Sequence, residues 1–345
     1  MGRKNKSYSI SLTKQIYNEF LSMQAFGDSK KTDRITGTDK DKIYSFDTFH
    51  TYYKHCKYFA RYIKQTHPDC TTLRAAKKYV SEFLAFRSEQ KNKDGRYLSA
   101  WTIQTEAAAL NKLFRIDKAD TDRFQPPKRR REDIIRSRRE TQKDRHFSVS
   151  KNKELIDFCC GTGCRRNVLE KLKGRDLWTR EQMEEKVRQI ACYNPVGRDR
   201  DDLQALKDAL TVFSEEKYFL YHRNDKGGKS RYAPIIGPHA AGIVARMRSK
   251  RPDENVWQQV SSGADVHGYR AEYATAVYRK YARDIKDIPY DRVNKGTGYA
   301  YQGDVYTCRK DRDGRKFDRK AMLVCSKALG HNRVDVVAKH YLRGI

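Results

Sequence analysis

Apolar residues recur at helical spacing through the first third of the chain, from Leu12 onward. A short pattern comes first, and the polar segment 27–42 after it predicts a loop. Three longer patterns follow, and Ser45, Thr72 and Ser99 precede them as candidate helix N-caps. Their apolar positions are Phe46, Phe49, Tyr53, Cys56, Ala60 and Ile63; Leu73, Ala76, Val80, Phe83 and Leu84; and Ile103, Ala107, Leu110, Leu113 and Phe114. We therefore predict an N-terminal helix and polar loop over 1–42 and a helical domain over 43–120.

The pattern changes in the second half, where helical and β-rich stretches alternate. Two β-rich runs that begin at Tyr218 and Arg231 flank a glycine-rich turn, which predicts a hairpin. Helical spacing appears after Arg165 and again between Phe317 and Ala328. We predict a mixed α/β domain with a small antiparallel sheet over 147–345, and an inserted helical pair at about 178–213. The pair carries the apolar positions Met183, Val187, Ile190, Leu203, Leu206 and Leu210.

A basic linker over residues 121–146 separates the two predicted domains, and it begins at two prolines. The chain as a whole has 73 Lys and Arg against 44 Asp and Glu, a formal net charge of +29. Such an excess in a globular chain predicts a polyanionic partner, and nucleic acid is the natural one. The residues expected to contact phosphates are Lys128, Arg129, Arg130, Arg131, Arg136, Arg138 and Arg139.

The eight cysteines show no disulfide framework or metal-ligand spacing. Cys159, Cys160 and Cys164 cluster without a second ligand pair, so we expect reduced thiols and no metal site. No apolar run approaches the roughly 20 residues of a membrane span. The expected location is the cytoplasm, in association with the nucleoid and without a membrane partner.

Four short motifs carry candidate chemistry. Leu329-Gly330-His331 is followed ten residues later by Tyr341, with a short predicted helix between them. Gly161-Thr162-Gly163-Cys164-Arg165 forms a glycine-rich turn before a helix, and the hairpin tip holds lysine. Tyr306-Thr307-Cys308-Arg309 ends 22 residues before His331. Gly228-Lys229-Ser230 imitates the end of a P-loop, but Arg223 stands where its first glycine is required.

In this order the motifs resemble those of the tyrosine recombinases, the phage integrase family. The resemblance implies a mainly α, two-domain protein: a SAM-like helical core-binding domain followed by a mixed α/β catalytic domain. It implies that Tyr341 is the nucleophile, that Arg165 and Arg309 hold the phosphate and that His331 hydrogen-bonds it. Counting back from Pro234 selects Lys226, rather than Lys229, as the general acid.

The chain departs from the family's pattern at two positions. Tyr306 stands where the family usually has the histidine of a His-x-x-Arg motif, and we expect it to hydrogen-bond the phosphate. Val168 stands where the family often has an acid, three residues after the first arginine. Arg166 is an alternative to Arg165 as the inward-pointing guanidinium.

The chemistry of these residue types fits attack on a phosphodiester. Guanidinium groups are planar, permanently charged forks that match the non-bridging oxygens, where negative charge grows. Tyrosine, with an ordinary pKa of about 10, is a poor nucleophile, and nearby arginines reduce the cost of forming its phenolate. A phosphotyrosyl intermediate preserves the energy of the broken bond, so neither ATP nor another cofactor is expected.

The resemblance implies duplex DNA recombination sites as substrate, a homotetramer assembled on two sites, and an accessory DNA-bending or directionality protein as a further partner. We therefore interpret the chain as a site-specific recombinase, the integrase of a mobile element. Two alternatives stay open. A type IB topoisomerase-like or telomere-resolving enzyme would use the same chemistry, and a non-catalytic DNA-binding regulator would retain only the scaffold.

Overall fold

The computed structural model describes residues 10–93, 95–116, 120, 121, 123, 126, 147–225, 229–288, 303–308, 314–331, 333–342, 344 and 345. The fold is mainly helical with a small antiparallel sheet. The chain divides into two compact units, Met1–Asp133 and Ile134–Ile345. None of the helices within the described ranges is long and apolar enough to cross a membrane.

In its described residues, the first unit has helices and loops with two isolated bridges, Gln24–Ile43 and Lys91–Tyr97. Its α-helices are α1 (Leu12–Ser22), α2 (Lys30–Thr36), α3 (Phe46–Thr66), α4 (Leu73–Ala76), α5 (Val80–Glu89) and α6 (Ala100–Leu113), with short 3-10 turns at Thr38–Asp41 and Lys77–Tyr79. The three predicted N-caps are confirmed, because the side chains of Ser45, Thr72 and Ser99 each accept a hydrogen bond from the backbone N–H three residues later. The predicted polar loop 27–42 instead contains α2 and a 3-10 turn.

The N-terminal helix belongs to the core of this unit. Ile16 and Phe20 on α1 are fully buried, and they pack in the same cluster as Phe59, Phe83 and Leu110. The predicted boundary at 42/43 therefore separates residues that share one hydrophobic core. Burial of such side chains contributes about 1.5–3 kcal/mol each, which explains why α1 stays docked.

The described part of the second unit mixes helices with two small sheets. Its α-helices are α7 (Lys153–Thr162), α8 (Arg166–Leu169), α9 (Arg180–Ala191), α10 (Gly197–Val212), α11 (Ala240–Arg248), α12 (Val266–Tyr281), α13 (Arg319–Ala328) and α14 (Val334–His340). Its strands are β1 (Leu177–Thr179), β2 (Tyr218–Asp225), β3 (Lys229–Pro234), β4 (Val305–Thr307) and β5 (Lys316–Asp318), and 3-10 turns lie at Gly174–Asp176 and Ile285–Asp287.

The predicted hairpin is confirmed as β2 and β3, which form an antiparallel sheet in the order β1-β2-β3. Asp225 pairs with Lys229 at the end where the two strands are connected, and the register shifts between His222 and Asp225. Phe219 and Leu220 are both fully buried although they point to opposite faces, so the sheet is covered on both sides. A second sheet pairs β4 with β5.

The segment predicted as a helical insertion contains two helices, α9 and α10. Thr179 and Gln182 form a capping box that starts α9. Met183, Ile190 and Leu206 are buried in the larger core of the second unit, so the insertion is part of that core.

Helix α12 passes through the centre of the second unit, between α7 and α13. Small residues such as Ala271 and Ala274 allow close packing, and both are fully buried. Arg270 on this helix carries a charge although it is only 1% exposed. A buried guanidinium requires compensating partners, and these lead to the candidate site.

Candidate active site

Tyr341 and His331 meet at the end of the second unit. Helix α13 is followed by a left-handed glycine, Gly330 (φ 67°), and the turn leads through His331 into α14. Tyr341 follows α14, and its Oη lies 3.1 Å from Nε2 of His331. Tyr341 is 5% exposed, so this hydroxyl–imidazole contact is largely screened from water.

The imidazole of His331 is neutral at physiological pH. Its burial, and after that the guanidinium groups of Arg270, Arg165 and Arg231, lower the pKa of His331 to about 4. A neutral imidazole has one nitrogen that donates and one that accepts, so His331 can either share or receive the proton of the Tyr341 hydroxyl.

Arg270 reaches the site from the buried helix α12. Its two terminal nitrogens donate to the backbone carbonyls of Gly163 and Leu329. Its guanidinium carbon lies 5.6 Å from the centre of the Tyr341 ring. Burial lowers the pKa of Arg270, and the neighbouring Tyr341 hydroxyl offsets only part of this decrease. The Nε atom of Arg270 is buried without a hydrogen-bond partner in the described part of the chain, so the group has donor capacity in reserve.

Arg165 stands between α7 and α8, after the left-handed turn at Gly163. Its guanidinium pairs with the buried carboxylate of Asp225 at the end of β2, and 22% of its side chain remains exposed. The neighbouring Arg166 donates to carbonyls in the 260–264 loop, including Ser261 O at 2.9 Å and Ala264 O at 2.9 Å. Arg166 therefore anchors a loop, and Arg165 is the arginine that faces the site, as the sequence analysis expected.

A third guanidinium, Arg231 on β3, was not predicted. Its Nη2 donates to Nδ1 of His222 at 2.8 Å, and Nη1 donates to the carbonyl of Ala328. Burial, and then the charge of Arg270, lower the pKa of Arg231 to about 10. The fully buried His222 is neutral, because burial and then the nearby arginines hold its pKa well below the usual range.

The side chains around Tyr341 and His331 therefore carry an excess of positive charge. Within the described ranges, the three guanidinium groups of Arg165, Arg231 and Arg270 face the single carboxylate of Asp225. Burying charge without a counter-charge is costly, and an anion entering the site would reduce that cost. The cluster has the electrostatics of an anion-binding site.

The sequence analysis missed two residues of α12 that lie against the candidate nucleophile. His267 packs on Tyr341 with ring centres 5.4 Å apart, and Arg270 follows it by three positions. His267-Gly268-Tyr269-Arg270 therefore has the His-x-x-Arg spacing that the resemblance led us to expect at Tyr306–Arg309. Arg270 lies 61 residues before His331, whereas Arg309 lies 22 residues before it. The His-x-x-Arg spacing at 267–270 is visible in the sequence. Its large distance from His331 is the reason that the sequence analysis did not select it.

The remaining predicted site residues divide into two groups. Tyr306 lies in β4 opposite Phe317 of β5 and packs against the larger core. The others lie outside the described residues: Lys226, Arg309, Lys128, Arg129, Arg130, Arg131, Arg136, Arg138 and Arg139. The structure thus brings Arg165, His331 and Tyr341 together and adds His267, Arg270, Arg231 and Asp225 to them.

All eight cysteines are free thiols. Across the ranges that the structure describes, no group of three His, Cys, Asp or Glu side chains is placed to hold a metal ion. Comparison of the sequence with models of known protein families gives no match, and comparison with curated proteins also gives none.

Proposed function

We propose that this chain cuts and rejoins DNA strands as a tyrosine recombinase. The observation that carries the proposal is the convergence of the guanidinium groups of Arg165 and Arg270 and the imidazole of His331 on the side of one buried tyrosine, Tyr341. These residues come from segments far apart in the chain, and a phosphodiester would supply the anion that the cluster lacks.

In the proposed reaction, the Tyr341 hydroxyl attacks the phosphorus atom of one DNA strand. A bond forms between Oη and phosphorus, the bond to the 5′ oxygen breaks, and the proton lost by the tyrosine is balanced by one gained by the leaving oxygen. The product is a 3′-phosphotyrosyl link and a free 5′ hydroxyl. Attack by the 5′ hydroxyl of another strand reverses the step and restores Tyr341, so no energy source is consumed.

Each side chain has a distinct role in this proposal. Arg165 and Arg270 bind the non-bridging oxygens, on which negative charge grows in the transition state. Neutral His331 accepts or shares the proton of Tyr341 across the 3.1 Å contact. Lys226, predicted at the hairpin tip next to Asp225, remains the proposed donor of a proton to the 5′ oxygen. His267 and Arg270 together take the His-x-x-Arg role that the sequence analysis gave to Tyr306 and Arg309.

Substrate access to Tyr341 is restricted, because this residue is only 5% exposed. A DNA phosphate must reach Oη for in-line attack, so α14 and the residues around it have to shift when DNA binds. The proposed partners follow from charge and resemblance: duplex recombination sites, a tetramer on two sites and an accessory DNA-bending protein.

A DNA substrate with a nick beside the cleavage site tests the proposal, because loss of the short 5′ fragment prevents religation. We expect the wild-type chain to form a covalent DNA adduct that denaturing gels resolve. Tyr341→Phe should bind DNA and give no adduct. Tyr281→Phe is the control, since it removes a partly buried tyrosine hydroxyl that donates to Glu216 outside the cluster, and it should retain the adduct. An undiminished adduct in Tyr341→Phe would refute the assignment of the nucleophile.

A second candidate function is supported by the backbone contacts of Arg270. Its terminal nitrogens hold two backbone carbonyls and Tyr341 is almost fully buried, which also suits a DNA-binding regulator in which the cluster is structural. Wild-type protein that binds the nicked substrate tightly and never forms an adduct would favour this candidate.

A further inference from the structure

Asp225 ends β2, and it is buried between two arginines from different elements. Its Oδ2 atom pairs with Nη1 of Arg165 and lies 3.3 Å from both Nε and Nη2 of Arg231. One carboxylate oxygen therefore bridges two guanidinium groups. The side chain of Asp225 is 4% exposed, so water contributes little to screening these contacts.

Arg231, Asp225 and Arg165 contact one another in that order, and Arg231 is the residue that the core holds in place. Arg231 is held by the carbonyl of Ala328 and by His222, both buried. Arg231 in turn orients the carboxylate of Asp225, and Asp225 pairs with Arg165. Arg165 is the more exposed arginine of the pair, with 22% of its side chain accessible against 11% for Arg231. A long side chain with many rotamers would lose this orientation if the carboxylate were removed.

We propose that Asp225 is a positioning residue for the reaction. Its carboxylate holds the guanidinium of Arg165 in the orientation that meets a non-bridging oxygen of a DNA phosphodiester. The inference rests on the proposed function and deepens it. A guanidinium that is already oriented needs no ordering in the transition state, and misplacement by about 1 Å can cost roughly 10²-fold in rate. Asp225 also offsets part of the buried positive charge and leaves a net excess for the phosphate.

Two substitutions separate orientation from charge. Asp225→Asn keeps the shape and removes the negative charge, so the ion pairs with Arg165 and Arg231 are lost. Asp225→Glu keeps the charge and moves the carboxylate by one methylene. With saturating nicked DNA, we expect single-turnover cleavage per folded molecule to fall about 10- to 10²-fold in Asp225→Asn and by less in Asp225→Glu. The affinity for DNA before cleavage should stay within about threefold of wild type, because a catalytic orientation acts on the rate.

Asp318→Asn is the matched control. Asp318 is also a fully buried aspartate paired with an arginine, Arg283, in the same unit, and its Oδ2 lies 2.8 Å from Nε of Arg283. It is outside the cluster around Tyr341. We expect Asp318→Asn to lower the melting temperature and to leave the cleavage rate per folded molecule unchanged.

The outcomes distinguish this inference from the proposed function. Slow cleavage in both Asp225 variants, with near-wild-type DNA affinity and a normal rate in Asp318→Asn, supports the positioning role. A wild-type rate in Asp225→Asn or Asp225→Glu after correction for the folded fraction overturns it, while the proposed function stands. Wild-type protein that forms no adduct overturns both. If Asp225→Asn does not fold, Asp225→Glu decides alone, because a role limited to folding predicts no loss of rate in a variant that folds.

Discussion

At the scale of single residues, the candidate site is organised around the hydroxyl of Tyr341. A neutral imidazole lies on one side of it and a guanidinium lies near its ring. As the hydroxyl proton leaves, His331 can take it, and Arg270 favours the negative oxygen that remains. Mutating individual side chains of this group gives separate and measurable effects.

The first prediction at this scale compares the two candidate His-x-x-Arg motifs. Arg270→Lys keeps the charge and loses the planar fork, so single-turnover cleavage should fall about 10²- to 10³-fold. Tyr306→Phe removes only a hydroxyl from β4. If α12 supplies the motif, this variant should cleave at close to the wild-type rate.

The opposite result, slow cleavage in Tyr306→Phe and normal cleavage in Arg270→Lys, would restore the motif expected from the sequence. It would also mean that Arg270 serves only to hold the carbonyls of Gly163 and Leu329.

A second prediction concerns the effect of pH on stability. The pKa of His331 is lowered to about 4 in the folded chain, so the neutral imidazole stabilises the fold at pH values above the unfolded pKa of about 6.5. That stability is lost as the pH falls from 6.5 towards 4, because the unfolded chain binds the proton more readily. Partial exposure reduces the effect to about 1 kcal/mol between pH 7 and pH 5.

Urea unfolding of wild type and His331→Asn at pH 7 and pH 5 measures this contribution. The variant should lose less stability than wild type on acidification, since asparagine does not titrate. His222 remains in both proteins, so its own titration cancels in the comparison. Equal losses in the two proteins would show that His331 is not held neutral.

At the scale of elements, two turns with left-handed glycines bring the site together. A Cβ atom on Gly163 would lie 2.3 Å from the Tyr273 ring, and one on Gly330 would lie 2.7 Å from Cδ of Arg231. Each turn therefore packs its backbone directly against a side chain of the core. Because both turns also carry site residues, Arg165 and His331, the close packing fixes where those residues point.

This packing predicts a difference between two glycine substitutions. Gly163→Ala combines an unfavourable φ of 59° with a clash on a buried ring, so it should lower the free energy of unfolding by about 2–4 kcal/mol. Gly237→Ala has a positive φ of 86° and open space around the new methyl group, so it should cost about 1 kcal/mol. Denaturant unfolding checks the pair, and equal losses would contradict the packing argument.

Elements were more predictable from the sequence than the site was. The caps at Ser45, Thr72 and Ser99, the β2–β3 hairpin and the α9–α10 pair all follow from local rules that do not depend on distant contacts. The partners of Arg165 do depend on them, because Asp225 and Arg231 approach only when the sheet has formed. Arg270 was not predicted because residues 282–318, which include β4 and β5, separate it from His331 in the sequence. The sequence analysis looked for this arginine much closer to His331.

At the scale of the whole molecule, the net charge of +29 supports binding to a polyanion. The basic linker gives the clearest prediction. Replacing Arg129, Arg130 and Arg131 together by alanine should reduce the slope of log K against log salt by about 0.9 for each lost phosphate contact, or about 2 to 3 in total. Filter binding or fluorescence anisotropy at several salt concentrations measures the slope. An unchanged slope would show that the three side chains make no phosphate contact.

The two carbonyls held by Arg270 also bear on how the protein matures. Gly163 is 107 residues from Arg270 in the chain and Leu329 is 59 residues from it. Contacts this distant in sequence require large loops to close, which costs chain entropy, so we expect them to form after the local helices and the hairpin. Until then, the guanidinium groups have no fixed arrangement around Tyr341. Under the proposed function, a partly folded chain bound to DNA through its charge would therefore hold no assembled site and would not cut a strand before folding is complete.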